Sequence, residues 1–391
     1  MMKLRPITLL FLVVLAAAPA PALPASTPLS GLPARIAERV DLKGYYKNLF
    51  TASESASGEV FYGDLNRHRL ELDASISEGL RAYAAYDNEI IAGSVLDTAE
   101  FSAAREMKEA NFFDLSAATL DKDDIFWLQR IYRAYVRYSR GAVSVTAGRQ
   151  RVPLGTGRIW NPEDLLDPIS PLQIERDERP GTDAVNIEAE AGPLSATTLV
   201  FAPGRASASE SYFIRHRLNR AGYDFSGLAG VFRRDKTLGF DFSGYIKDSG
   251  LRGEFAYTFA GERGDFLRAV ASFDHNFRSG LYLVIEYLFN GGNDPDVAST
   301  LTAVTASSEI LTLNRNFIGV GAGYDITPLL RFEGLSVLDI EGKSAFIGPS
   351  LRYNILENLD LSAGVQIFTG RDGSEYGSLP ELFYGELQLY F

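Results

Sequence analysis

The sequence has no cysteine in 391 residues, and only three methionines, three histidines and two tryptophans. Without cysteine there is no disulfide framework, zinc ribbon, c-type haem attachment or lipidated N-terminal cysteine. The three histidines, His68, His216 and His275, have no serine or aspartate spacing around them that reads as a hydrolytic set. No enzyme activity, metal or cofactor is expected. Long apolar runs are also missing. Past residue 18 nothing approaches the ~20 residues that an apolar helix needs to cross a bilayer. Positive charge is outweighed, with a net charge of −12, which argues against nucleic acid as a partner. The acidity is concentrated between the patterned segments. Residues 91–125 alone hold eight acidic and three basic residues, as solvated loops do.

Glycine, phenylalanine and tyrosine are abundant, at 36, 25 and 19 residues. The N-terminus carries Lys3 and Arg5, an apolar run from Ile7 to Ala18, and small-residue sites around Ala18-Pro19-Ala20 and Ala20-Pro21-Ala22. This pattern predicts a secretory signal peptide over 1–22, followed by a periplasmic lead over 23–37.

From residue 38 onward the apolar residues recur with period two. Leu281, Leu283, Ile285, Tyr287 and Phe289 share one strand face, and Leu238, Phe240, Phe242, Gly244 and Ile246 share another. Segments of about ten alternating residues are the signature of a transmembrane strand. They recur near 38–52, 64–76, 78–90, 126–140, 141–150, 182–191, 193–203, 211–219, 222–233, 236–247, 250–260, 266–276, 280–290, 314–324, 328–338, 344–356, 359–369 and 381–391. The fold class expected is therefore all-β: a transmembrane antiparallel barrel over 38–391 with about 18 strands, or 16 as the alternative. Its ends assign 91–125, 151–181 and 291–313 to long outer loops. The last strand alternates Phe383, Leu387, Leu389 and Phe391 against Tyr384, Glu386, Gln388 and Tyr390. It resembles the terminal strand that barrel-assembly machinery recognises. Expected partners are thus that machinery, the lipid bilayer and lipopolysaccharide, with small solutes inside and an oligomer open as an option.

Charges on the lipid side at mid-depth would cost about 2–4 kcal/mol each, so the strand charges are assigned to the lumen. Leu70, Leu72, Ala74 and Ile76 face lipid, which turns Arg67, Arg69, Glu71 and Asp73 inward. The next strand turns Arg81, Tyr83, Asp87 and Glu89 inward. On 126–140, Leu128, Tyr132, Ala134, Val136 and Tyr138 are expected outside, with Gln129, Arg133 and Arg137 inside. Arg252, Glu254 and Arg268 complete the pore-lining candidates. These arginines either filter solutes or brace the wall through ion pairs.

The stretch from Gly148 to Ala184 is the most distinctive. Asn161-Pro162-Glu163-Asp164 has the chemistry of a helix start. Arg158, Trp160, Asn161, Glu163, Asp164 and Asp167 are the constriction-loop candidates, the acids expected to face the arginines across the lumen. Gly148, Arg149, Gln150, Gly155, Gly157, Arg158, Trp160, Asn161, Pro162, Asp164, Glu178, Arg179, Gly181, Asp183 and Ala184 together resemble a motif of porin-like outer-membrane barrels of uncharacterised function. In porins a loop of this kind folds into the barrel and narrows it; a lid packed over the outer mouth is the alternative. The resemblance implies the porin-like class and no particular substrate; the first expectation for function is passive passage of small polar or anionic solutes. A looser likeness to alginate-export barrels implies a conduit for an anionic polysaccharide or a barrel housing a partner, and a surface barrel anchoring polysaccharide is a third option.

Overall fold

The computed structural model describes residues 39–55, 57–106, 111–168, 170–175, 179, 181–205, 209–293 and 312–391. The expected signal peptide and lead lie outside them, as does most of 291–313. The strands run β1 Val40–Glu54, β2 Val60–Ser77, β3 Leu80–Ala92, β4 Ser116–Lys122, β5 Ile125–Arg140, β6 Val143–Gln150 and β7 Thr182–Gly192. They continue with β8 Ser195–Ala202, β9 Ser211–Arg220, β10 Tyr223–Phe232, β11 Asp235–Ile246, β12 Ser249–Phe259 and β13 Phe266–Asn276. The rest are β14 Tyr282–Asn290, β15 Asn316–Thr327, β16 Leu330–Asp339, β17 Ser344–Leu356, β18 Leu359–Thr369 and β19 Leu382–Tyr390.

Every pairing is antiparallel, and β19 returns to β1 in register from Tyr45 opposite Tyr390 to Ser53 opposite Leu382. Closure leaves the wall without a free edge, so its backbone polar groups are met within the sheet. The closed ring has 18 strands, because β4 lies outside it. β3 pairs directly with β5, while β4 covers the other edge of β5 from Ile125 to Arg130, above the point where β6 takes over at Ala134. β4 and one short helix, α1 (Ala99–Glu106), are elements the alternation did not reveal; both lie in the long connection after β3.

The alternation sorts the wall into two faces. Leu199, Ile214, Leu238, Phe255, Phe273, Ile285, Leu338 and Ile347 are exposed on the outside. Lys47, Arg67, Asp87, Asp241, Glu254, Arg268 and Glu286 are buried on the inside. An apolar exterior around a polar interior is the architecture that crosses a bilayer with strands. At one rim the connections are short: 78–79, 141–142, 193–194, 221–222, 247–248, 328–329 and 357–358 take two residues each. The long ones gather at the opposite rim.

The face assignment needs one correction, on β5. A bulge places Arg133 opposite Ala85 and Ile131 opposite Tyr86, so Tyr132 is an extra residue. Above it the faces exchange. Tyr132 is buried in the lumen under the Arg69 guanidinium, 3.8 Å from its ring centre. Gln129 moves to the outer face, beside Tyr86, and Arg130 takes the inner one, 2.7 Å from Glu89.

Candidate functional site

The described residues of 151–181 fold into the lumen, and their contacts follow the strand order around it. Val152, Leu154 and Leu165 pack with Val200, Phe213, Leu228 and Phe232 on the inner wall from β8 to β10. Ile159 and Trp160 pack with Val270, Leu288, Phe317, Val337 and Phe346 on β13 to β17. Leu172 accepts a hydrogen bond from Gln366 on β18 at 2.7 Å. Glu175 then meets Lys47 on β1 at 2.9 Å and Arg67 on β2 at 2.6 Å. The segment thus makes one circuit of the barrel interior.

Two wall carboxylates hold the middle of this circuit. Glu254 accepts from the backbone N–H groups of Thr156 at 2.8 Å, Gly157 at 3.2 Å and Glu163 at 2.7 Å. Glu286 accepts from those of Arg158 at 2.7 Å, Ile159 at 3.0 Å and Trp160 at 2.7 Å. The expected helix at Asn161 does not form. Residues 161–167 are turns: the Glu163 N–H goes to the wall carboxylate of Glu254, the Asp164 N–H to the Asn161 carbonyl and the Leu165 N–H to the Glu163 carbonyl, so no helical ladder forms. Glycine makes the approach possible. Gly155 has φ of 77°, and a Cβ there would lie 2.6 Å from the Glu254 carboxylate.

Of the loop acids expected to face the arginines of β2, β3 and β5, Asp167 lies within the pull of Arg133, while Glu163 and Asp164 are placed elsewhere. Glu163 is buried beside Glu254 and Asp241, in space left by Gly239, not beside that cluster. Burial first, then these two carboxylates, push its titration well up. Asp164 is fully buried and pairs with Arg179 of the same segment at 2.8 Å. Burial, reinforced by Asp167, raises it to about 8 despite that pair. Burial raises Asp167 to about 6 against the pull of Arg179, Arg133 and Arg151. Asn161 is half-buried and accepts from the Asp164 N–H through its carbonyl.

The wall arginines separate into two groups. Arg67 is clamped between Glu89 and Glu175, Arg69 is bidentate on Asp87, and Arg252 reaches Asp274 at 2.9 Å. Arg268 is buried on Asn290 and against the Phe266 ring. These four sit inside ion pairs or hydrogen bonds that tie strands together. Arg133 donates to the Arg179 carbonyl, Arg137 to Thr146, and Arg81 pairs with Asp73 toward the short-turn rim.

Between the circuit and β14 to β19 an open passage of about 620 Å³ remains. Arg158 and Arg179 project into it from the segment, and Arg331 and Arg352 from the wall, with Glu333 and Glu386 as the acids. Arg331 is partly engaged by Glu333 and Asp325, while Arg352 is exposed. Arg352 was within reach of the sequence, since Leu351 and Tyr353 beside it are lipid-facing by period. Glu286 shows the same inward parity between Ile285 and Tyr287, but its partners on the segment, and Glu175, had no signal, because pairing across the lumen leaves no local pattern.

The motif residues at the two ends of the segment meet each other. Arg149 holds Asp183 at 3.0 Å in a buried pair between β6 and β7, and Gln150 donates to the Ala184 carbonyl. Both charges lie on the outer face of the sheet. Residues 111–113 cover them from outside: the Phe113 N–H donates to Asp183, and its carbonyl accepts from Arg149. Glu178 lies outside the described residues.

The closed 18-stranded antiparallel barrel is a fold shared with bacterial outer-membrane porins. No protein-family model matches the sequence, and no curated protein matches it. Among solved structures, the chain is similar in fold to Pseudomonas aeruginosa OccK8 (OprE), at 11% identity and a TM-score of 0.53, covering 90% of this chain and 98% of that one. It is similar to Pseudomonas aeruginosa OpdK with vanillate at 9% identity and 0.55, covering 90% and 99%. It also matches Pseudomonas aeruginosa OpdQ, at 8% and 0.55, over 90% and 98%.

Proposed function

We propose that this chain is a bacterial outer-membrane channel through which small polar solutes pass passively, with small anions favoured. One observation carries the reading. A segment pinned around the lumen leaves an open side passage, and four arginines against two glutamates border it. In a narrow water-filled passage the nearest fixed charges set the sign of the favoured ion. The acidic outer loops act from further off, and their field fades over about 8–10 Å at physiological salt.

The fold neighbours support the class, and the vanillate in one of them suggests small carboxylates as the solutes to try. The pinned segment favours small solutes over a polymer. An alginate-like chain would have to displace Trp160 and six backbone hydrogen bonds to gain a wider path. Single-channel recording in a planar bilayer tests the proposal. Stepwise currents, interrupted by benzoate added on one side, are expected. A purified, folded protein that inserts without conducting removes the channel reading.

A further inference from the structure

The lipid-facing surface of the described strands is mostly apolar, broken by small polar pairs such as Thr197 with His216 and by one larger polar cluster. On β1, β2, β3 and β5 the outward positions include Tyr46, Asn48, Asn66, His68, Asn88 and Gln129, with Asp64 at the upper edge. The registers make them one contiguous belt. Tyr46 lies opposite His68, His68 opposite Asn88, and Asn88 opposite Gln129, while Asn48 lies opposite Asn66. Their faces are fixed by neighbours of the same parity. On β2, exposed Val60 and Tyr62 lie above the polar group, and exposed Leu70, Leu72 and Ile76 below it. The belt is therefore bracketed by apolar residues and sits at the depth of the hydrocarbon.

Part of the belt satisfies itself. Tyr46 donates to Asn66 at 2.5 Å, Trp127 to Asn88 at 2.6 Å, Tyr86 to Gln129 at 2.9 Å, and Asn48 to Asp64 at 2.5 Å. Asn48 also donates to Asn66 at 3.3 Å, and Gln129 to Thr119 at 2.9 Å. The amide hydrogens of Asn66 and Asn88 and the exposed His68 ring remain directed outward. Hydrocarbon offers such groups no partners, and each unmet group there costs several kcal/mol. Nowhere else on the described exterior is such a cost concentrated at this depth.

We propose that this belt is a contact surface for a second copy of the chain, an inference that rests on the barrel residing in a membrane. The chemistry and the depth both select a copy. Amides are donors and acceptors at once, so Asn66, Asn88 and Gln129 can meet the same residue types across an interface. Asp64 and His68 offer one another opposite polarity. Copies related by an axis along the barrel direction present the belt at equal depth, as the closed symmetry of membrane oligomers requires. Lower on the same face, beyond Leu70 and Tyr86, the small residues Ala74, Ala82, Ala84 and Ala134 line part of the wall, which lets a second barrel approach there.

The absence of native cysteine makes the test direct. Asn88→Cys on the belt and Ile285→Cys on the opposite wall are each treated in membranes with a bifunctional thiol reagent. The proposal expects an adduct at twice the chain mass from Asn88→Cys and none from Ile285→Cys. An adduct of any other mass, or none from Asn88→Cys, overturns it in favour of a different partner or a bare lipid face. The combined Asn66→Leu, His68→Leu and Asn88→Leu variant is expected to elute in detergent as a monomer. Retention of the oligomer in that variant also overturns the proposal. Conductance separates this inference from the channel reading. A monomer that conducts removes the interface alone, and a cross-linked oligomer that does not conduct removes the channel alone.

Discussion

Glu254 and Glu286 show how a single side chain can decide the shape of a lumen. Each accepts three backbone N–H groups from the inserted segment. Removing one carboxylate leaves those donors without their partner, a loss of about 1–3 kcal/mol for buried groups. With Trp127→Phe in the background, Trp160 is the remaining tryptophan and reports on docking. Glu254→Ala should shift its emission to the red and expose 151–181 to protease; unchanged emission and protection would mean that the apolar packing alone holds the segment.

The buried acids give docking a pH dependence. Asp167 and Asp164 titrate at about 6 and about 8 when docked, against about 4 for a free aspartate. Raised values mean that the docked form prefers the proton. Its contribution is complete below about pH 4 and fades as pH climbs through the docked values. Glu163, also raised, extends the loss to more alkaline pH. Trp160 emission should therefore move red between pH 5 and pH 9, with a smaller alkaline limb in Glu163→Gln. A flat profile in the parent protein would contradict this.

At the scale of elements, strands were legible because each repeats one physical demand, apolar outside and polar inside, over about ten residues. The 18 ring strands follow the alternation within a few residues. What failed to show had a non-local cause. The bulge at Tyr132 adds one residue without changing composition, yet it moves Arg130 inside and Gln129 outside. β4 is short and pairs only with the upper half of β5. The Asn161 helix start is sound local chemistry, overruled by carboxylates more than 90 residues away. Among the site residues, the inward parity of Arg67, Arg69, Arg133 and Arg137 was readable, while their partners were not, since Glu175 reaches Arg67 only through the circuit.

The Arg149–Asp183 pair tests the coupling between elements. It is buried under 111–113 and ties β6 to β7 where the inserted segment leaves and rejoins the wall. Breaking a buried pair from one side typically costs about 3–5 kcal/mol. Arg149→Ala should lower the temperature at which the folded gel band converts to the unfolded one. An unchanged transition would show that the covering segment relaxes to let water reach Asp183.

At the scale of the molecule, closure and insertion act together. The seam between β1 and β19 carries Lys47, which touches both Glu386 on β19 and Glu175 on the circuit, so the barrel's closing strands also anchor the segment that narrows it. The result is an asymmetric lumen, one side filled by buried packing and the other left as the arginine-bordered passage. Arg158 and Arg352 line that passage, and neither side chain holds the segment to the wall strands beyond a 3.7 Å approach of Arg158 to Asp274. The reversal potential in a potassium chloride gradient across a planar bilayer, measured for the parent protein and for the Arg158→Gln, Arg352→Gln double variant, tests the anion-favouring channel most directly. The account predicts a potential on the chloride side for the parent and a clear shift toward potassium in the variant, with conductance retained. A cation-selective parent, or a variant with unchanged reversal potential, would contradict it.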